Sequence, residues 1–283
     1  MPTPFHFNAI RTPALMGIVN LTPDSFSDTG RHIAPTAAMT HLETLVAQGS
    51  QILDLGAEAS SFFRPGVLST DTNEQLRRLM PLLAQLPRER PYYLSIDTRS
   101  ATVAHQAIQH GADLINDISA GTHDPEMLPL IAKSNAGIIL MHISASYPNN
   151  PPHDDPDILT TVRTFLANRI AAAKLAGIPQ NKIAIDPGLG FGKTPHDNWL
   201  LALRSHELQS ALHVPLVLGA SRKRFLEIPP PPHLIPPTEW QSLLAKFASL
   251  ANTHPRDPAT AALTHIAIQN GVAIHRLHRP LTL

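Results

Sequence analysis

QILDLGAEASSFFRPG, residues 51–66, runs from an apolar, strand-like segment into a loop whose only charges are Glu58 and Arg64. The apolar part is too short for a helix and does not alternate with polar residues, so it reads as a strand buried on both faces. Working outward, the same unit recurs along the chain. Apolar strands are expected at 14–20, 51–56, 92–98, 112–118, 137–142, 182–187, 214–221 and 273–278. Between them lie helical patterns such as 36–48, where Ala37, Met39, Leu42, Leu45 and Val46 share a face, and 73–85, where Leu76, Leu79, Met80 and Leu83 do so. Eight such strands with crossover helices predict a closed (β/α)8 TIM barrel over residues 1–283, as one domain. A doubly wound open sheet is the alternative, but no G-x-G-x-x-G turn follows the first strand.

The composition narrows the classes. The 283 residues suit one large barrel, and the formal charge of zero gives no basic field for nucleic acid. There is no cysteine, hence no disulfide framework, thiolate nucleophile or cysteine-based zinc site. The opening residues lack a signal-peptide pattern and no apolar run is long enough for a membrane span, so a cytoplasmic protein without membrane or nucleic-acid partners is expected. The 28 prolines cluster at 145–156 and 229–237, which reads as two loops.

Nearly every predicted strand ends in a polar residue. They are Asn20, Glu58, Asp97, Asn116 with Asp117, His142, Asp186, Ser221 with Arg222 and Lys223, and Arg276 with His278. In a barrel these positions meet at the C-terminal rim, where active sites of this fold are built. Any one of them could merely cap the next helix, but a ring of carboxylates, cations and an amide is costly unless a ligand satisfies it. Two aspartates and an asparagine suit a planar heterocycle with adjacent N–H donors, with Lys223 and Arg276 covering its acceptors or face. Arg64, His278 and Asn20 suit an anion, with the asparagine available to a metal bound to phosphate.

GIVNLTPDSFSD (17–28), SIDT (95–98), INDISAG (115–121), LMH (140–142), DPGLGFGKT (186–194), SRKRF (221–225) and RLH (276–278) resemble, in order and over nearly the whole chain, the motifs of the dihydropteroate synthases. That resemblance implies condensation of 6-hydroxymethyl-7,8-dihydropterin diphosphate with p-aminobenzoate, in folate synthesis, with Mg2+ on the diphosphate. It implies Asp97, Asn116, Asp186 and Lys223 around the pterin, with Met141 and Arg276 against its faces. Asn20, Arg64 and His278 would hold the diphosphate, Asn20 through the metal, while Gly190, Phe191 and Ser221 would line the p-aminobenzoate pocket. Lys223, Arg64, His278 and Asp97 would then be the catalytic set. Loss of diphosphate leaves a cationic methylene, so a charge clamp on the leaving group matters more than a general base. Of the 16 histidines only His278 is assigned a role.

Three stretches depart from the family pattern. The second loop, usually GGESTRPG, is longer here, and Phe63 replaces the small residue before Arg64. Phe62 and Phe63 are therefore expected either to wall the p-aminobenzoate site and lower sulfonamide affinity, or simply to pin a longer loop. After SRKRF, residues 227–255 read as an extended proline-rich linker plus an inserted helix at 238–251 with Thr238 as its cap. A helix at 257–270 capped by Asp257 follows. After RLH the family's last outer helix is missing, so the inserted helix, a partner subunit in a homodimer, or nothing would cover the eighth strand. The competing readings are an inactive pterin-binding homologue and a methyltetrahydrofolate-dependent corrinoid methyltransferase.

Overall fold

Eight parallel strands follow one another around a barrel in the order β6-β5-β4-β3-β2-β1-β8-β7. The computed structural model describes residues 4–22, 35–58, 70–144, 147, 152 and 154–280. The strands are β1 (Ala14–Asn20), β2 (Ile52–Gly56), β3 (Tyr93–Asp97), β4 (Leu114–Asp117), β5 (Gly137–Met141), β6 (Ile183–Asp186), β7 (Val217–Leu218) and β8 (Ile274–Leu277). The seam between β6 and β7 is closed by one bridge, Ile185 to Leu216, with Ile185 N–H donating to the Pro215 carbonyl at 3.0 Å. The expected (β/α)8 barrel is therefore the observed one, each strand trimmed by a residue or more except the first.

The period of two along each strand sorts the apolar residues into two cores. Met16, Ile52, Ile139, Ala184, Val217 and Ile274 cluster with Phe5 and Phe7, which plug the N-terminal mouth. Phe5 packs edge-on against both Phe7 and Tyr93, with ring centroids at 5.0 and 5.2 Å. The alternate residues, among them Val19, Leu53, Leu55, Leu94, Ile96, Ile138, Leu140 and Ile185, face the helices.

The outer layer comprises α1 (Pro35–Ala47), α2 (Thr72–Leu83), α3 (Ala101–Gln109), α4 (Met127–Ala132), α5 (Ile158–Leu175) and α6 (Pro195–Leu212). Then come α7 (Pro237–Lys246) and α8 (Asp257–Gln269). Asp71, Ser100, Asp157 and Thr194 cap α2, α3, α5 and α6, each accepting a backbone N–H of the first turn. No helix among the described residues is long and apolar enough to cross a membrane.

Three expectations in the 227–270 region need correction. The proline-rich run is not extended throughout, because the N–H groups of Leu234 and Ile235 both turn back to the Pro231 carbonyl, at 2.8 and 3.1 Å. The inserted helix starts at Pro237 rather than after a Thr238 cap, and beyond Lys246 it gives way to a 3-10 turn, Ala248–Asn252. Proline suits this first helical position because its fixed φ is already helical and its missing N–H would be unpaired there anyway. Asp257 opens α8 but does not cap it; its carboxylate is taken by Arg222, at 2.8 and 2.9 Å, and by Thr253 Oγ1 at 2.7 Å. Trp240 of α7 packs on Trp199 of α6 with ring centroids 5.1 Å apart, and α7 also lies against α8.

Candidate active site

Above the apolar plug the inward positions turn polar. Asn20, Gly56, Asp97 and Asn116 are register partners across four neighbouring strands, and one inward step lower lie Asp54 and Ser95, also partners. Asp54 is fully buried and accepts three hydrogen bonds, from Ser95 Oγ at 2.6 Å, Asn116 Nδ2 at 3.0 Å and Arg276 Nε at 2.7 Å. The other side of the Arg276 guanidinium donates from Nη2 to Asp97 Oδ2 at 2.8 Å. Burial works against the Arg276 charge, but Asp54 and Asp97 outweigh it and hold its pKa above the usual value. Burial pushes the Asp97 carboxyl up to about 7, with Arg276 opposing and Asp54 adding to the shift.

Asp186 closes β6 and begins the loop 187–193. Gly188 N–H donates to its Oδ1 at 2.6 Å, and burial raises its pKa despite that bond. Gly188 has φ of +69°, and a Cβ there would run into the His142 carbonyl, so this turn admits only glycine. The loop is held from within by Lys193, whose Nζ donates to the carbonyls of Gly188 at 2.8 Å and of His142 and Phe191 at 3.2 Å each. Burial lowers this lysine to about 7. Lys223 Nζ sits 4.2 Å from the centre of the Phe191 ring, a cation over an aromatic face, and its stem lies over Gly190. Burial, then Arg276, lower Lys223 to about 8.

On the far side Ser221 Oγ is 2.9 Å from His278 Nδ1 and accepts the His278 backbone N–H at 3.2 Å. Burial, with Arg276 and Arg222 nearby, lowers His278 to about 3, so it is a neutral imidazole. Met141 packs with Ile118 and Phe191 into a small apolar patch. Asn20, level with Gly56, has its Oδ1 in the space that a side chain at Gly56 would narrow; this hard oxygen donor at the open mouth fits a Mg2+ ligand.

These residues form two adjoining clefts. The inner one is lined by Glu58, Asp97, Asn116, Met141, Asp186, Phe191, Lys223 and Arg276 among others. The outer one is lined by Gly190, Phe191, Asn198, Arg222, Lys223 and Arg224 among others. Phe191 and Lys223 are their shared wall. One site is apt for a ring with N–H donors, the next is basic and partly aromatic, and the wall between them carries a cation.

Of the residues singled out in the sequence, Asp97, Asn116, Met141, Asp186, Gly190, Phe191, Lys223 and Arg276 border these clefts. Ser221 and His278 form the bonded pair beside them. Phe62, Phe63 and Arg64 lie outside the described residues. Two strand-end residues do not join the site. Asp117 turns outward and pins its own loop, accepting from Ser119 N–H, Ser119 Oγ and Gly121 N–H. His142 points to a side cleft, edge-on to Phe165 at 4.9 Å, whereas Arg222 borders the outer cleft with its guanidinium held by Asp257. Two residues escaped the sequence reading, Asp54 and Lys193. The signal for Asp54 was there: a lone acid in mid-strand, two residues before the inward Gly56.

The sequence profile of the family described as "Pterin binding enzyme" matches residues 16–278. The dihydropteroate synthase of Mycobacterium leprae (strain TN) is 37% identical over 267 residues, covering 93% of this chain and 87% of that protein. The solved structure of Xanthomonas albilineans dihydropteroate synthase with 4-aminobenzoic acid superposes with a TM-score of 0.76 at 35% identity, over 95% of this chain and 88% of that one. The same organism's enzyme in complex with 7,8-dihydropteroate superposes with a TM-score of 0.72 at 34% identity, over 94% and 87%.

Proposed function

The chain belongs to the pterin binding enzyme family, and we infer that it joins 6-hydroxymethyl-7,8-dihydropterin diphosphate to p-aminobenzoate, giving 7,8-dihydropteroate and diphosphate. The observation that carries this reading is the pair of clefts divided by Phe191 and Lys223. A reaction that forms one bond between two separately held rings needs such a pair.

The pterin lies in the inner cleft, with Asp97, Asn116 and Asp186 facing its polar edge, Met141 below and Arg276 above. Asp54 does not touch it but fixes Asn116 and Arg276, and is a positioning residue. Lys223, a cation in a largely dehydrated wall, steadies the ring's acceptor and the charge that builds as the C–O bond to diphosphate breaks. The electron pair of that bond leaves with diphosphate. The lone pair of the p-aminobenzoate nitrogen then forms the new C–N bond, and a proton leaves that nitrogen. An aniline is nucleophilic at neutral pH, so no general base is required. Gly190, Phe191 and Ser221 border the p-aminobenzoate side, where Phe63 would add a wall, and His278 donates to the departing anion with Arg64. Asn20 would offer its side-chain oxygen to Mg2+, which would supply charge neutralisation to the leaving group.

The decisive experiment is incubation with the pterin diphosphate, p-aminobenzoate and Mg2+, following dihydropteroate and released diphosphate together. Ring binding without either product would instead mark an inactive pterin binder. Methyl transfer from methyltetrahydrofolate to a corrinoid would point to the other branch of the family.

A further inference from the structure

Three ligand-bearing side chains meet beside the side cleft that Asp197 helps to line. Asp154, from the first proline-rich segment, and His196 and Asp197, at the start of α6, place one donor atom each within 4.8 Å of the others. We propose that they form, with His233, a site for a divalent transition-metal cation of the zinc class, which ties both proline-rich segments to the head of α6.

The start of α6 would explain Asp197 without a metal if its carboxylate capped the helix. The cap is instead Thr194, whose Oγ1 accepts the Asp197 N–H at 3.2 Å. Asp197 is 1% exposed, yet its Oδ1 has no hydrogen-bond partner among the described residues, and buried oxygens of this kind are rarely left unpaired. Lys193, the nearby buried cation, is engaged by three carbonyls. The imidazole Nδ1 of His196 faces that oxygen at 3.8 Å, beyond a hydrogen bond. Zinc at about 2.1 Å from each of four tetrahedral ligands sets the ligand atoms about 3.4 Å apart, so a small inward movement of two exposed side chains completes the geometry.

The fourth ligand comes from the insertion. The His233 ring stands 6.0 Å from the His196 ring, centre to centre, tilted by 37°. Two imidazoles on one zinc hold their centres about 5 Å apart. His233 lies in the turn closed onto the Pro231 carbonyl. Two imidazoles with two carboxylates favour zinc, cobalt or nickel over Mg2+, which prefers oxygen alone. The site is distinct from Asn20 at the barrel mouth, and the inference does not depend on the reaction proposed above.

The test uses the full chain, free of any histidine tag and stripped by a chelator. Calorimetric titration with Zn2+ should show one saturable equivalent, and Co2+ should give the intense visible bands of a four-coordinate site, neither displaced by millimolar Mg2+. His196→Ala, Asp154→Ala and His233→Ala change exposed side chains, so folding is preserved, and each should weaken zinc binding by more than about tenfold. His105→Ala, at an exposed histidine on α3, should leave it unchanged. Absence of a saturable equivalent, or His196→Ala and Asp154→Ala binding zinc as the unaltered chain does, overturns the proposal.

Discussion

Arg276 of the last strand donates to Asp54 of the second across the barrel mouth, Nε to Oδ2 at 2.7 Å, between residues 222 positions apart in sequence. Asp54 also receives Ser95 and Asn116, so one carboxylate fixes three neighbours. Asp54→Ala leaves the guanidinium with one carboxylate and two donors unmet, and should destabilise the fold by about 3–5 kcal/mol. Asp54→Asn, of the same shape, should cost less stability but still weaken pterin binding at least about tenfold by letting Arg276 and Asn116 drift. Urea denaturation and pterin calorimetry on both variants check this; undiminished pterin affinity in Asp54→Asn would remove the positioning role.

A second expectation concerns pH. Burial raises the Asp97 carboxyl to about 7 and lowers the Lys223 ammonium to about 8. Asp97 must be ionised to accept a ring N–H, so kcat/KM should rise as pH increases through about 7. Lys223 must be charged, so kcat/KM should fall above about 8. Lys223→Arg should move the falling limb out of the accessible range while lowering kcat. A falling limb that stays in place would mean that another group sets it.

Lys193→Met should loosen the loop 187–193. Three carbonyls lose a charged donor at once, a cost of about 3 kcal/mol or more where they remain buried. Equilibrium unfolding should show the loss, and KM for p-aminobenzoate should rise because Gly190 and Phe191 belong to this loop. An unchanged KM would separate the lysine from the second-substrate cleft.

His275 offers a stability test away from the chemistry. It is 1% exposed, and burial lowers it to about 4, with a hydrogen bond to Val272 opposing. Between about 4 and 6.5 the unfolded chain binds this proton and the native chain does not. Stability is therefore full above about 6.5 and falls as pH drops through that window, by on the order of 3 kcal/mol. His142 and His278, lowered to about 3, act in the same direction. His275→Leu should flatten, without abolishing, the decline of Tm between pH 7 and 4. A slope equal to that of the unaltered protein would assign the decline to other groups.

The aromatic pair Phe62–Phe63 lies outside the described residues, and its sequence carries a further expectation. Replacing both by Ser, or deleting one, should strengthen sulfonamide inhibition by more than it lowers KM for p-aminobenzoate. Equal inhibition constants would leave the pair as a loop anchor.

The barrel was legible because the strands are short, mainly apolar runs that do not alternate regularly with polar residues, as a sheet covered on both faces requires. The cleft residues followed from asking where those strand ends converge. What sequence could not resolve was direction. Asn116 faces the cleft and Asp117 its own loop, a difference of one residue that register alone decides. Asp54, the hub of the site, is masked by its apolar neighbours Leu53 and Leu55 in the middle of a strand. Lys193 was not legible because its partners are carbonyls, which leave no mark in side-chain patterns. Asp257 looked like a helix cap because capping residues and ion-pair residues are the same types, and Arg222 decided between them.

The seam of the barrel sets the order in which the protein fails. Every other strand junction has a ladder, but β6 and β7 meet at one bridge, and Pro215 has no N–H with which to add to it. Hydrogen exchange at Ile185 should accordingly outpace that at Ile139, deep in a paired strand. Asp186 and Lys223 stand on opposite lips of this gap, so mild denaturant will part them before any helix melts, and inactivation will precede the loss of circular dichroism.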